Sequence, residues 1–201
     1  LSAGSTGIGG HDNPLAFDAS NLTASTSASS SMFLRELNSV TIDPAGLSAG
    51  VGTIQLTAGS FTLGGSDRIA DSSALSIMPD ATLNLNNFDE TIGSLIGFGS
   101  VSLGTATLTT GVDNTHTIYS GVIGGAGGLT KIGTGSFYLR GNNTYDGVTS
   151  IVRGSVLASA NNALGSAVGE TTVAGGNMAR LVFDSGVNYT TPERVTINDA
   201  G

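Results

Sequence analysis

The 201-residue chain holds 31 glycines, no cysteine, no tryptophan and 5% aromatic residues, so any core must be aliphatic, and disulfides, cysteine metal sites and thiol catalysis are excluded. Charged residues make up only 11% and the net charge is −8 at pH 7. With seven lysines and arginines scattered along the chain, no basic stripe is available to nucleic acid or to an anionic membrane surface. Mean hydropathy is positive and apolar residues alternate along most of the length, which separates the chain from disordered Gly/Ser-rich sequences.

Leu1 opens the chain with no initiator Met and no basic-then-apolar leader, the look of a processed or excised piece. The Ser/Thr/Ala run from Ser20 to Ser31 reads as a loop or an irregular first rung, and Met32 to Leu37 as a single helical turn or another strand. A boundary near Ser31 therefore separates an irregular segment or first rung, 1–31, from one repetitive domain, 32–201. Beyond it a short phrase recurs: Gly59-Ser60-Phe61-Thr62-Leu63, Gly99-Ser100-Val101-Ser102-Leu103 and Gly135-Ser136-Phe137-Tyr138-Leu139. Each is a turn glycine, a small polar residue and two apolar residues one position apart, a turn entering a strand.

The glycines of the three copies are 40 and 36 residues apart, so a rung of roughly 18 to 20 residues falls twice between copies. Ser39-Val40-Thr41-Ile42, Thr82-Leu83-Asn84-Leu85 and Arg194-Val195-Thr196-Ile197 fit the same ruler, and weaker versions begin at Thr117, Ser155 and Thr172. Glycine interrupts most blocks of ten and no window sustains a 3.6-residue period, which leaves helices nearly excluded. The expected fold is all-β, a solenoid of about nine stacked rungs that bury one another's apolar faces.

From Gly127 to Ser159 the sequence reads GGLTKIGTGSFYLRGNNTYDGVTSIVRGSVLAS. Gly128-Leu129-Thr130-Lys131, Gly133, Gly135, Leu139, Gly141, Asn143-Thr144-Tyr145, Gly147, Thr149, Ile151 and Gly154 give it a specific pattern, and it resembles the autotransporter-associated β-strand repeat of bacterial surface proteins. Phe137 and Arg153 depart mildly from that pattern. Asn162-Ala163-Leu164-Gly165, Thr171-Thr172-Val173 and Leu181-Val182-Phe183 resemble its continuation, and outside roughly residues 81–186 the likeness thins. The resemblance implies a right-handed parallel β-helix, a passenger domain exported to the cell surface or secreted and held at the outer membrane through a C-terminal barrel, and a role in adhesion, aggregation or display. It implies no common active site.

Read on their own chemistry, glycines 133, 135, 141, 147 and 154 supply tight corners, Asn142 and Asn143 cap or ladder a turn, and Tyr145 packs at a corner. The enzyme alternative, a carbohydrate-active β-helix, needs paired carboxylates or a base beside a cation. Asp89-Glu90 is the only adjacent acidic pair; neighbours on a strand face opposite ways, and a solvated loop is the expectation for both. Asp67-Arg68 with Asp71 reads as a surface turn with a weak ion pair. His11 and His116 lack partners at metal-ligand spacing, Gly64-Gly65-Ser66-Asp67 is a lone near miss for a calcium nonapeptide, and Gly124–Gly128 is followed by Lys131 in a strand pattern with no helix to cradle phosphate. Gly4-Ser5 and Gly165-Ser166 read as ordinary turns and not as nucleophile elbows. Asn21, Asn142 and Asn188 sit in sequons of little meaning in a bacterial protein.

The expectation is thus a structural or adhesive scaffold, not an enzyme, with no catalytic, cofactor or metal residues and no cofactor. Its partners are other copies of itself or neighbouring repeats of a larger chain, associating into fibres, with surface glycans as a second class. A carbohydrate-active or carbohydrate-binding β-helix is the alternative.

Overall fold

The computed structural model describes residues 2–3, 8–10, 14–17, 20–26, 30–175 and 178–198, and every regular element among them is a β-strand. All pair in parallel with the strand one rung away, as chain coiling in one direction requires, and the rungs stack as a β-solenoid of about eight turns. Each rung has three faces. The first carries Ser94–Gly97, Thr117–Tyr119, Ser136–Leu139, Ser155–Ala158 and Arg180–Phe183; the second carries Ser100–Ser102, Val122–Gly125 and Thr144–Tyr145. The third is a separate six-stranded sheet: Glu90–Ile92, Leu108–Thr110, Leu129–Lys131, Thr149–Ile151, Glu170–Ala174 and Arg194–Asn198.

Earlier rungs are smoother. Met32–Ser48, Thr53–Leu63 and Ala74–Asn84 run through the first and second faces without a break, bending at register shifts such as Leu56/Ala58. Met32 to Leu37 is therefore strand, and so is Asn21–Thr26 from the Ser/Thr/Ala run, which pairs with Thr41–Ser48 as part of an earlier rung.

Inward residues form columns. Met32, Ile54, Leu75 and Leu95 stack on the first face, and Val40, Phe61, Leu83, Val101 and Ile123 on the second, nearly all fully buried. Burying each such side chain stabilises by about 1.5–3 kcal/mol, so cohesion comes from stacking and no rung suffices alone. Two columns are interrupted by glycine, and each time a tyrosine stands above it: Gly97 under Tyr119 and Gly125 under Tyr145. The Tyr119 hydroxyl donates to the Gly99 carbonyl of the rung below at 2.6 Å, so the ring's polar tip is satisfied within the core.

The count of eight, not nine, follows from rung length. In-register partners are 18 residues apart at Glu90 and Leu108, but 22 at Thr149 and Thr171 and 25 at Ala158 and Phe183. Longer corners also break the ruler's phase. Phe61, Leu83 and Val101 share one column, whereas Phe137 lies on the first face with Val156, and Arg194–Ile197 on the third. A turn glycine followed by alternation is what any corner-entered strand needs, so the phrase marks strands without saying which face they occupy.

The corner glycines divide by mechanism. Gly133 and Gly154 take positive φ, while Gly141 and Gly147 press against the carbonyls of Gly121 and Gly127 one rung below, where a Cβ would collide.

Candidate functional site

The chemistry-bearing side chains gather inside the third face. Its inward columns hold Glu90, Leu108, Leu129, Thr149 and Thr171 in one file and Ile92, Thr110, Lys131, Ile151 and Val173 in the other. Glu90 is 1% exposed: Oε2 accepts from the Arg68 N–H at 2.8 Å and Oε1 from the Ile69 N–H at 3.0 Å. Burial pushes its carboxyl up to about 7, against those two hydrogen bonds and aided by nearby Asp67 and Asp71. The expectation of a solvated loop is corrected here. Asp89 does face solvent, with Oδ1 accepting from the Thr107 N–H at 2.7 Å, but strand alternation turns its neighbour into the core.

Lys131, 2% exposed, lies between Thr110 and Ile151 and ends among main-chain carbonyls: Nζ donates to Ile132, to Gly133 at 3.1 Å and to Arg153 at 3.5 Å. Burial lowers its ammonium to about 8, opposed by Asp113. Higher up, the Tyr145 hydroxyl meets Thr149 Oγ1 at 2.6 Å, and Thr149 donates to the Leu164 carbonyl at 3.1 Å. Thr171 in turn donates to Glu193 Oε1, and Tyr189 to Glu193 Oε2 at 2.6 Å, with the Glu193 carboxyl raised by burial.

Asn143 takes an inward place on the second face above Ile123. Its Oδ1 accepts from the Ile123 N–H at 2.9 Å and its Nδ2 donates to the Ala163 carbonyl at 2.6 Å, so one amide joins three rungs. This is the ladder role read for Asn143, while Asn142 is exposed; Tyr145 is fully buried, as a packing residue should be.

The outer surface assembles less. Arg68 makes no ion pair with Asp67 or Asp71, against expectation: the guanidinium lies over Gly65, with Nε buried and unpartnered. His116 Nδ1 accepts from the Ser136 N–H at 3.1 Å, and among the described residues no three His, Asp or Glu side chains gather to hold a metal. His11-Asp12 and Gly4-Ser5 lie outside the described residues. Gly124 and Gly125 belong to a strand, and Gly127 packs on the Ala106 carbonyl. One groove of about 670 Å³ crosses several rungs on the first face, walled by Val112, Asp113 and His116 and floored by Thr53, Ala74 and Ser94.

The chain is similar to an adhesin. Over 87 residues, 43% of its length, it is 36% identical to the "Adhesin BmaC autotransporter" of Brucella suis biovar 1 (strain 1330), and the match spans 2% of that protein. No family model matches, and no solved structure does. The similarity and the parallel solenoid together fit an autotransporter passenger.

The interior polar groups are what reading for active-site patterns overlooks. Glu90, Lys131, Thr149 and Thr171 carry no catalytic spacing, but Glu90 shares parity with Ile92, Lys131 with Leu129, and Thr149 with Ile151. That period-two parity was the available signal.

Proposed function

We propose that this chain is a segment of the passenger of a surface-exposed or secreted bacterial autotransporter, acting as a structural and adhesive stalk and not as an enzyme. The observation that carries the reading is the similarity to an autotransporter adhesin on a chain folded as a stacked parallel solenoid. Gly127–Ser159 is an autotransporter-associated β-strand repeat on this reading, and a C-terminal barrel of the parent chain holds it at the outer membrane. Two carboxylates support a non-catalytic role: buried Glu90 and half-buried Glu193 spend their oxygens on main-chain and hydroxyl donors.

Partners are further rungs, from copies of this chain or from neighbouring repeats. Phe183, Val195 and Ile197 are 47%, 42% and 72% exposed, although Ala158, Thr171 and Val173 directly below them are 5% exposed or less. Another rung laid on Arg180–Phe183 and Arg194–Asn198 buries these residues and pairs their free backbone edges. Light scattering at several concentrations with negative-stain microscopy tests self-association: lengthening rods support it, and a strictly monomeric particle at all concentrations removes it.

A second reading, glycan binding, is favoured by the first-face groove, where Val51, Ile96 and Val112 offer apolar contact beside Asp113 and His116. Its lining includes one carboxylate, where glycoside hydrolysis normally uses two. A glycan-array screen decides: retained binding by an Asp113→Ala, His116→Ala double variant removes the groove from consideration.

A further inference from the structure

The third-face sheet is continuous only from Glu90–Ile92 onward. One rung lower, Ile69 meets the solenoid beneath it through a lone bridge to Leu47: the Leu47 N–H donates to the Arg68 carbonyl at 2.6 Å and the Ala70 N–H to the Leu47 carbonyl at 2.8 Å. The Arg68–Ala70 segment therefore belongs to the lower part. Its join to the upper part is made by a side chain, because the Ile69 N–H, which in an unbroken ladder finds a main-chain carbonyl, finds the Glu90 carboxyl.

We propose that Glu90 is an ionisation-controlled clasp between the two parts of the solenoid on this face, closed while its carboxyl is protonated and loosened when it becomes carboxylate. The surroundings set the sign. From below the carboxyl is faced by Asp67 and Asp71, which repel its charge, and by Arg68, whose guanidinium lies over Gly65 and forms no ion pair. From above come Thr107 and Leu108, which are uncharged; Asp89 on Glu90's own strand turns outward, and Lys131 is committed to carbonyls two rungs up. Among the described residues two N–H donors compensate a charge at this buried position, and burial outweighs them.

The folded carboxyl is raised to about 7 from an ordinary 4.5, so between those values the closed form holds a proton that an opened, hydrated carboxyl releases. The clasp's contribution is full below the ordinary value and is lost as pH rises through about 7. Loosening lets water reach Glu90 while the flanking sheets stay paired.

Site-resolved hydrogen exchange on the full chain, from about pH 5 to about pH 9, tests this. After correction for intrinsic exchange, protection of the Arg68 and Ile69 amides is expected to fall about tenfold for each pH unit between the ordinary 4.5 and about 7, and to level off above that. Amides in Ser155–Ala158 hold constant, and in Glu90→Gln the Arg68 and Ile69 amides show no such slope. Equal slopes in the wild type and Glu90→Gln overturn the proposal. Should Glu90→Gln fail to fold, a ¹³C titration of the wild-type Glu90 carboxyl decides: a midpoint well above the ordinary glutamate value sustains the clasp, and a midpoint at or below it overturns it.

Discussion

The second and third faces are made from the same chain in the same rungs, with the same inward–outward alternation, yet their interiors differ in kind. Through Val101 the second face stacks an unbroken aliphatic and aromatic column, Val40, Phe61, Leu83, Val101, with Ile123 above it. The third face alternates such residues with Glu90, Thr110, Lys131, Thr149 and Thr171, every one buried and bonded to backbone, hydroxyl or carboxyl or stacked among apolar neighbours. Up to Ile123 the second face coheres by non-directional burial, with a polar join only above it at Asn143, whereas directional polar joins run through the third face, and the two should fail differently when altered.

The largest effect is expected on the apolar face. Leu83→Ala opens a cavity in a column closed above and below, and should lower stability by about 2–5 kcal/mol in urea unfolding. A loss below about 1 kcal/mol would show that the column is loosely packed. Asn143→Leu leaves the Ile123 N–H and the Ala163 carbonyl unpartnered and should cost about 2–4 kcal/mol despite adding apolar surface.

Lys131→Met sharpens the contrast. On a purely hydrophobic argument it stabilises; on the directional one it strands three carbonyls and costs about 1–3 kcal/mol, read from the urea midpoint at neutral pH. A midpoint that rises would break the comparison between the faces.

The pH profile should carry the same signature. Glu90 binds its proton more tightly when folded, so stability falls as pH rises from about 4.5 to about 7. Lys131 binds its proton less tightly when folded, so stability rises with pH between about 8 and its ordinary 10.5. A shallow trough between about 7 and 8 is expected in the urea midpoint, with Glu90→Gln flattening the acid side and Lys131→Met the alkaline side. The smallest effect belongs outside: Val51→Thr, 72% exposed, should stay within about 0.5 kcal/mol in the same assay.

Much of this was legible before any coordinates. Alternation predicts strands, glycine spacing predicts corners, and Asn143 and Tyr145 fall into the roles their chemistry suggests, because each depends on a residue and its near neighbours. The candidate site was less legible. Glu90 read as solvated beside Asp89, since an acidic pair looks like surface when nothing local offers N–H donors, and the donors come from Arg68 and Ile69 a full rung away. Lys131 was placed correctly in a strand while its inward direction went unread.

What the sequence determined by itself was the class of structure: strand after strand, closed by small corners, with an aliphatic interior and no helix, because those follow from side-chain size, alternation and backbone freedom within a few residues. Which strands lie over one another was decided only in the tertiary structure. Rungs of 18 to 25 residues shift the phase of similar phrases, so Phe61 and Phe137 begin alike and end on different faces. The corners' lengths set that register, and the register chose the rung that supplies Glu90's hydrogen-bond donors, a contact between residues more than twenty positions apart.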